Sequence, residues 1–354
     1  MTVREFSIGP STIGEGYPCY IIAEIGVNHN GDIDLARRTI DAAAGAGANA
    51  VKFQTFQADK LVTRSAPKAQ YQIENTGSDD GQYTMLKALE LSFDDHAALK
   101  AHCADSGIGF LSSPFHLEAV DLLASLGVDA FKIPSGEITN LAYLAYIAAK
   151  GRPMILSTGM ADMVEVGQAL QTIEAAGAPP VVILHCLSNY PADPSEANLR
   201  AMTSIDAAFG HLVGYSDHTI GAAISIAAVA LGARMIEKHI TFDRTLPGPD
   251  HNASIEPAEF AAMISGIRAV EQAMGDGVKR PMPSELSTRD VARKSLCAAQ
   301  DIAAGTVLRD EDIVPLRPGT GMAPSMAPFL VGRRIEKTIQ RGTVFELGMF
   351  EHSA

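Results

Sequence analysis

The feature of this sequence that most restricts its fold is an eightfold alternation of short apolar runs with longer helical segments. The runs are Tyr20–Ile25, Ala50–Gln54, Gly109–Ser113, Ala130–Pro134, Met154–Thr158, Val181–Cys186, Leu212–Ser216 and Met235–Ile240. Between them, apolar residues recur at three- to four-residue spacing, and several segments end in a glycine, as at Gly47, Gly107 and Gly127. Eight strand–helix units predict an α/β fold, a (β/α)8 TIM barrel, with a doubly wound open sheet as the alternative.

The pattern changes after the eighth unit. The segment 275–287 (GDGVKRPMPSELS) mixes glycine, proline and charge, which is typical of a linker. The residues beyond it show short alternating runs and glycine-rich turns without a long helix. We therefore predict a barrel over 1–276, a linker over 277–287 and a small β-rich domain over 288–354, which is too small to bury a large core alone.

Composition excludes several classes of protein. The formal net charge of −13 argues against nucleic acid or an anionic membrane as a partner. No apolar run approaches the roughly 18 residues needed to span a bilayer, and residues 1–20 lack a signal-peptide pattern, so we expect a cytoplasmic protein. The four cysteines are far apart and predict buried small residues rather than disulfides or a zinc site.

Polar side chains stand at the carboxyl end of every predicted strand, which is where (β/α)8 barrels carry their active sites. In chain order they are Glu24, Lys52 with Gln54, Ser113, Lys132 with Ser135 and Glu137, Ser157, His185, Ser216 with His218, and Glu237 with His239. Taken singly, such residues could form ion pairs between strands or cap the following helices. Their coincidence on one face predicts an active site instead.

The residue types indicate the ligand. Lys52 and Lys132 supply fixed positive charge, and Ser113, Ser135, Ser157 and Ser216 supply hydroxyl groups, several of them beside glycine-rich turns. Such a set suits a phosphate and a carboxylate together, and phosphoenolpyruvate fits this description.

Two histidines indicate a metal. His218 and His239 end the last two strands, which are neighbours in a barrel, so they predict an open divalent site that could polarise an aldehyde. Two histidines satisfied by the protein are the alternative, and Glu237 is left unassigned as a third ligand. The following loop, LPGPDHNAS (246–254), presents Asp250 and His251 over the same face, either to bind sugar hydroxyls or, for His251 in particular, as part of a rigid turn.

These segments resemble the sialic acid synthase family, which includes bacterial N-acetylneuraminate synthases and their legionaminic acid relatives. The matching motifs are AEIGVNHNG (23–31), VKFQTF (51–56), SSPF (112–115), FKIPSGE (131–137), LSTGM (156–160), LHC…YP (184–191), GYSDHT (214–219), ALGARMIEKH (230–239) and GPDHNAS (248–254). They recur in order over nearly the whole predicted barrel. The tail, with LRPGTGM (316–322), resembles the antifreeze-like SAF domain of the same family.

The resemblance implies a homodimer that exchanges its C-terminal domains, so that Arg317 reaches the active site of the partner subunit. It implies Mn2+, with Mg2+ or Co2+ as alternatives, on His218 and His239. The residues that fall on family substrate positions are Glu24, Lys52, Gln54, Ser113, Lys132, Ser135, Glu137, Ser157, Tyr190, Ser216 and Asp250. Some relatives carry Thr at Ser113 and Asn at Ser188, and the second difference bears on sugar contacts.

The implied reaction condenses phosphoenolpyruvate with an N-acylated mannosamine-type sugar to give a sialic acid and phosphate. N-acetylneuraminate synthase is the first expectation, and N,N'-diacetyllegionaminate synthase is the alternative, because segment 66–92 resembles both subgroups. We expect Glu137 to activate water or to stabilise the cationic centre. We expect Lys52 and Lys132 to position phosphoenolpyruvate, and Asp250, with Gln54, Tyr190 and Arg317, to orient the sugar. More distant alternatives are a Schiff-base aldolase using Lys132 or Lys52, and a carbohydrate- or ice-binding protein that relies on its C-terminal domain.

Overall fold

The computed structural model describes residues 4–351 and has two compact units, divided between Gly275 and Asp276. The first unit begins with an antiparallel hairpin, β1 (Glu5–Ile8) and β2 (Ser11–Gly14). The eight strands that follow are β3 (Tyr20–Gly26), β4 (Ala50–Thr55), β5 (Gly109–Pro114), β6 (Phe131–Ile133), β7 (Met154–Ser157), β8 (Val181–Cys186), β9 (Leu212–Asp217) and β10 (Met235–His239). They are parallel in the order β5-β4-β3-β10-β9-β8-β7-β6. Because β5 and β6 contact each other, the sheet closes and the predicted (β/α)8 barrel is confirmed.

Helices connect the strands, and their ends follow local sequence signals. The helices of the first unit are α1 (Ile33–Ala46), α2 (Ala58–Leu61), α3 (Gln70–Thr76), α4 (Gln82–Ala88), α5 (Phe93–Asp105), α6 (Leu117–Leu126), α7 (Leu141–Ala148), α8 (Met163–Ala176), α9 (Arg200–Phe209), α10 (Ala223–Ala230) and α11 (Pro257–Met274). Asp162 caps α8 by accepting from the backbone N–H groups of Val164 and Glu165. Gly47 ends α1 at φ 89°, in the left-handed region that favours glycine. No helix within residues 4–351 is long and apolar enough to cross a membrane.

The barrel strands bury both of their faces, but the inner face changes character along its length. Outward-pointing residues such as Ile21 and Val51 pack under the helices. Inward-pointing residues near the strand starts, such as Ile22 and Ala50, form a separate apolar cluster. Since side chains two residues apart share a face, Glu24 and Lys52 follow on the same inner side at the upper end. The inner face is therefore apolar at its lower end and polar at its upper end.

The N-terminal hairpin seals the lower end of the barrel. Phe6, Ile8 and Ile13 are buried in the same apolar cluster as Tyr20 and Met235, which lie at the starts of their strands. The sequence analysis did not anticipate this hairpin. Its two strands have four residues each, which is too short for alternation to indicate a strand with any force.

We expect Ile13→Ala to lower the free energy of unfolding by about 2–5 kcal/mol, because it leaves a void in a fully buried apolar cluster. Urea unfolding followed by circular dichroism measures the loss. Thr12→Ala, in the same strand but only half-buried, is the matched control and should change stability much less. If both variants lost an equally small amount of free energy of unfolding, the role of the hairpin in sealing the barrel would be contradicted.

A short-helix insert separates β4 from α5. It comprises α2, α3 and α4, and the buried Lys68 holds its connecting loop in place. The Lys68 Nζ donates to Thr76 Oγ1 at 3.1 Å and to the Ser78 carbonyl at 2.9 Å, and it pairs with Asp80 at 2.5 Å. These contacts join two connecting loops of the insert, before and after α3, to each other.

The second unit is small and β-rich, as predicted. The strands β11 (Ser295–Ala298) and β12 (Ile313–Leu316) pair antiparallel, and isolated bridges such as Cys297–Val344 extend the pairing. Its helices are short, α12 (Leu286–Ala292) and α13 (Ala327–Leu330), and its own core includes Leu296 and Phe345. The helix α12 begins within the segment predicted as a linker. All four cysteines of the chain are free and buried, as expected.

Candidate active site

A cavity of about 460 Å³ lies at the carboxyl ends of the barrel strands. Its lining includes every predicted catalytic, substrate or metal residue of the barrel except Glu137, whereas the strand-end residue His185 does not line it and has Nε2 2.9 Å from the Ala197 carbonyl. These lining residues are Glu24, Lys52, Gln54, Ser113, Lys132, Ser135, Ser157, Tyr190, Ser216, His218, His239 and Asp250. The sequence analysis therefore located the cavity through its strand ends, although the role of each residue stays a prediction.

The floor of the cavity is a cluster of buried charges. The Lys52 Nζ lies 2.8 Å from Glu24 Oε2 and 3.8 Å from Glu237 Oε1. The Lys132 Nζ lies 3.1 Å from the same oxygen of Glu237. All four side chains are at most 4% exposed. Glu237, which the sequence left unassigned, is therefore the carboxylate that joins the two lysines.

Burial and pairing set the charges of this floor. Burial raises the pKa of Glu24 to about 7, although Lys52 opposes the shift. Burial alone would raise the pKa of Glu237, but the positive charges of Lys132 and Lys52 outweigh burial. The pKa of Glu237 is therefore below its usual range. Burial lowers the pKa of Lys132, whereas for Lys52 the carboxylates of Glu237 and Glu24 outweigh burial and raise it. When Glu24 takes up a proton, the two lysines exceed Glu237 by one positive charge, which favours an anion.

Serine hydroxyl groups surround the charged floor. Ser113 accepts from Lys52 Nζ at 3.2 Å, and Ser216 donates to Glu237 Oε1 at 3.1 Å. Among the described residues, Ser157 Oγ and Glu237 Oε2 are buried without a hydrogen-bond partner. Buried polar atoms are normally satisfied, and because both residues line the cavity, a bound ligand or water could complete these two.

The two predicted metal ligands lie together at one side of the cavity. The rings of His218 and His239 have centroids 5.3 Å apart. His218 Nδ1 is 2.7 Å from the Leu187 carbonyl, which leaves Nε2 as the nitrogen able to face a ligand. His239 Nδ1 is buried without a partner, and burial followed by the charge of His218 lowers the His239 pKa, so its ring is neutral. Burial alone would lower the pKa of His218, but Cys186 opposes burial and that pKa is raised, so the pair could hold a divalent ion if that ion displaced the proton of His218.

No larger ligand cluster accompanies this pair. Within residues 4–351, no group of three or more His, Cys, Asp and Glu side chains has an arrangement that could hold a metal. The fit to a metal accordingly depends on two imidazoles and on oxygen atoms from water or substrate.

Aromatic rings and Asp250 border the histidines. The Tyr190 ring lies 4.1 Å from that of His218 and 5.0 Å from that of Tyr71, which belongs to α3. Asp250 Oδ2 lies 3.9 Å from His239 Nδ1, and burial raises the pKa of Asp250 to about 6. Gln54 Nε2 donates to Glu24 Oε1 at 3.4 Å. These groups form a second, less charged part of the cavity.

The loop that carries Asp250 is anchored by its neighbour. His251 Nδ1 is 2.6 Å from Thr241 Oγ1, and His251 Nε2 is 3.3 Å from Asn30 Oδ1. His251 thus holds the loop, as the rigid-turn alternative expects, while Asp250 lines the cavity. Asn75 of α3 donates to the Pro249 carbonyl at 2.7 Å, so the insert also fixes this loop.

Two predicted site residues lie elsewhere. Glu137 is half-buried beside the cavity, and its Oε2 accepts from Asn140 Nδ2 at 2.8 Å. Arg317 is exposed in the second unit, where its Nε donates to the Ala292 carbonyl at 2.9 Å. A role for Arg317 in the site of a partner subunit stays a prediction.

The sequence analysis missed one side of the cavity. The insert and its surroundings contribute Val27, Met85, Leu86, Leu89 and Phe115 to the lining, and this group is hereafter called the apolar wall. Its signal was the apolar spacing of YTMLKALEL (83–91), which indicates a helix face but does not reveal what that face covers.

A second buried ion pair lies beside the two histidines in sequence. Lys238 Nζ is 3.0 Å from Asp217 Oδ2, and both side chains are 0% exposed. Asp217 Oδ1 also accepts from the backbone N–H and the hydroxyl of Thr219, and Asp217 Oδ2 accepts from Ser225 Oγ at 2.6 Å. Asp217 and Lys238 directly precede His218 and His239, so this network fixes the backbone that carries both imidazoles.

Comparisons with known proteins agree with this architecture. The NeuB family model matches residues 39–279, and the SAF domain model matches residues 293–351. The N,N'-diacetyllegionaminic acid synthase of Legionella pneumophila is 46% identical over 343 residues, which cover 96% of each chain. The synthase of the same name from Campylobacter jejuni is 48% identical over 315 residues, which cover 88% of this chain and 94% of that protein.

A solved structure extends the likeness to three dimensions. The N-acetylneuraminic acid (sialic acid) synthetase of Leptospira borgpetersenii, in complex with citrate, has a TM-score of 0.71 and 35% identity, covering 80% of this chain and 94% of that one. A family model that spans most of the barrel, together with relatives that match nearly end to end, leaves one assignment. The chain belongs to the NeuB family of synthases, with a SAF domain at residues 293–351.

Proposed function

We propose that this chain condenses phosphoenolpyruvate with 2,4-diacetamido-2,4,6-trideoxymannose, in a metal-dependent reaction that gives N,N'-diacetyllegionaminic acid and phosphate. The observation that carries the chemistry is one cavity holding a buried lysine pair, Lys52 and Lys132, beside the histidine pair His218 and His239. The choice of sugar replaces the first expectation, N-acetylmannosamine. Two relatives that are 46% and 48% identical are named for the legionaminic product, which favours the alternative of the sequence analysis.

The floor of the cavity suits phosphoenolpyruvate. Lys52 and Lys132 offer two ammonium groups to its phosphate and carboxylate, and Ser157, whose buried hydroxyl has no protein partner, offers a further donor. Both lysines are held by carboxylates, so the site is organised before the ligand arrives and little reorganisation is needed at the moment of reaction. Their role is positioning and charge neutralisation rather than covalent bonding.

His218 and His239 are the residues that would hold the metal. A divalent ion there supplies Lewis acidity, which polarises the C1 aldehyde of the open-chain sugar. Mn2+ is the ion we propose. Asp250, Tyr190 and Gln54 line the neighbouring part of the cavity and orient the sugar, with Arg317 of the partner subunit as the proposed contact to an N-acyl group.

In the proposed reaction, C3 of phosphoenolpyruvate attacks C1 of the sugar, the former aldehyde oxygen takes up a proton to become a hydroxyl, and positive charge develops at C2. Water adds to C2 and gives up one proton. The tetrahedral intermediate then loses its C2 hydroxyl proton as the C–O bond to phosphate breaks, which leaves the C2 ketone and free phosphate. Glu24 is better placed than Glu137 to exchange a proton with that water, because it lines the cavity beside Lys52 and its pKa of about 7 leaves both its protonated and its ionised form populated near neutral pH; the ionised form accepts the proton.

We expect Mn2+-loaded protein to release phosphate from phosphoenolpyruvate with the 2,4-diacetamido sugar, and EDTA to abolish the release. The same assay with N-acetylmannosamine tests the second candidate, which the likeness to the Leptospira sialic acid synthetase favours. A larger kcat/KM with N-acetylmannosamine would overturn the proposed substrate while keeping the reaction class. Release that persists in EDTA would overturn the metal requirement. Exchange of C-terminal domains in a homodimer and a cytoplasmic location stay predictions.

A further inference from the structure

The lining of the cavity is chemically mixed. It contains the charged floor and the histidine pair, and it also contains the apolar wall, beside which Tyr71, Gln72 and Gln82 of the insert line the cavity. Within the wall, Val27, Met85 and Leu89 belong to a small apolar cluster of their own, against which Leu86 and Phe115 pack. The five side chains of the wall therefore pack in one apolar cluster rather than standing isolated on the cavity lining.

Geometry decides which part of the sugar meets this wall. In the proposed reaction, C1 of the sugar must lie at the histidine pair and next to phosphoenolpyruvate on the floor. The opposite end of the sugar, from C4 to C6, then lies against lining that belongs to neither. The apolar part of that lining includes the apolar wall.

We propose that the apolar wall is the surface that selects the sugar, by receiving the C6 methyl group and the methyl of the C4 acetamido group. This inference rests on the proposed function and deepens it. N-acetylmannosamine carries hydroxyl groups at both C4 and C6, and none of the wall's five side chains can hydrogen-bond to them. A hydroxyl that loses water without gaining a partner binds poorly, whereas a methyl group gains from burial.

Two sugars that differ only at C6 test the wall directly. We expect the wild-type protein to prefer 2,4-diacetamido-2,4,6-trideoxymannose over its 6-hydroxy counterpart by about ten- to a hundredfold in kcat/KM, the range that one small substituent produces in an apolar pocket. Leu86→Gln places an amide in the wall and should reduce this preference to about threefold or less. The KM for phosphoenolpyruvate should not change, because the floor is untouched.

Leu61→Gln is the matched control. Leu61 packs against the same apolar cluster and is likewise half-buried, but it does not line the cavity. The control should keep the wild-type preference even if it loses a similar amount of stability. If Leu86→Gln fails to fold by circular dichroism, Leu86→Thr makes a smaller polar change at the same place and should lower the preference in the same direction.

The outcomes separate the two proposals. A folded Leu86 variant that keeps the full wild-type preference overturns the role of the wall and leaves the proposed function intact. The role of the wall is likewise overturned if the wild-type protein uses the 2,4-diacetamido sugar but has the same kcat/KM for its 6-hydroxy counterpart. A wild-type protein that accepts N-acetylmannosamine and not the 2,4-diacetamido sugar overturns both.

Discussion

Replacing Lys132 by methionine should lower kcat/KM for phosphate release by about a thousandfold, the upper range for removing one preorganised charged donor. The loss has two causes. Phosphoenolpyruvate loses an ammonium group, and Glu237 Oε1 loses a partner 3.1 Å away in a site where it is 4% exposed. The side chains have similar lengths, so the effect is one of charge rather than of volume.

The control for this variant is Lys60→Met. Lys60 also forms an ion pair, with Glu118 at 2.6 Å, but both side chains are well exposed and lie outside the cavity, so turnover should stay near that of the wild type. Lys132→Arg keeps the positive charge and should recover part of the activity. If Lys132→Met retained more than a tenth of the wild-type kcat/KM, a role for Lys132 in holding phosphoenolpyruvate would be untenable.

Replacing Asp217 by alanine should lower the free energy of unfolding by about 3–5 kcal/mol, as expected when one member of a fully buried ion pair is removed. Lys238 would lose its counter-charge, and burial already lowers the Lys238 pKa, so the lysine would shed its proton rather than stay charged. The hydroxyls of Thr219 and Ser225 would also lose their acceptor.

Urea unfolding of the apo protein measures this loss, and calorimetric titration with Mn2+ measures its effect on the site. Because Asp217 and Lys238 directly precede His218 and His239, we expect Asp217→Ala to weaken Mn2+ binding as well. The double variant Asp217→Leu/Lys238→Met removes both charges and should recover most of the stability. If the double variant were as unstable as Asp217→Ala, the cost would lie in packing and not in the unpaired charge.

The barrel and most of its cavity could be predicted because two simple periodicities coincide. Strand alternation places Lys52 and Gln54 on one side of β4, and the topology of a (β/α)8 barrel gathers all eight strand ends on one face. The same rule puts Glu237 on the side of His239, but only the structure shows that Glu237 pairs with the lysines rather than joining the histidines.

The remaining features of the site depend on contacts that follow neither strand alternation nor helical spacing. Glu137 follows β6 in a 3-10 turn, where side-chain direction is not fixed by alternation, and there it meets Asn140 instead of the cavity. The insert is held at the cavity by Asn75, which donates to the Pro249 carbonyl, a contact that no strand or helix periodicity predicts. The sugar could not be chosen from strand ends, because most of the wall proposed to select it (Met85, Leu86 and Leu89) lies on or directly after that insert.

The hairpin and the apolar cluster that it joins close the lower end of the barrel, so the cavity is not open from below. In the proposed arrangement, phosphoenolpyruvate on the floor lies beneath the sugar. We therefore expect an ordered reaction in which phosphoenolpyruvate binds first and phosphate leaves last. Phosphate should accordingly compete with phosphoenolpyruvate for free enzyme, and a product-inhibition pattern in which phosphate instead competes with the sugar would show the opposite order.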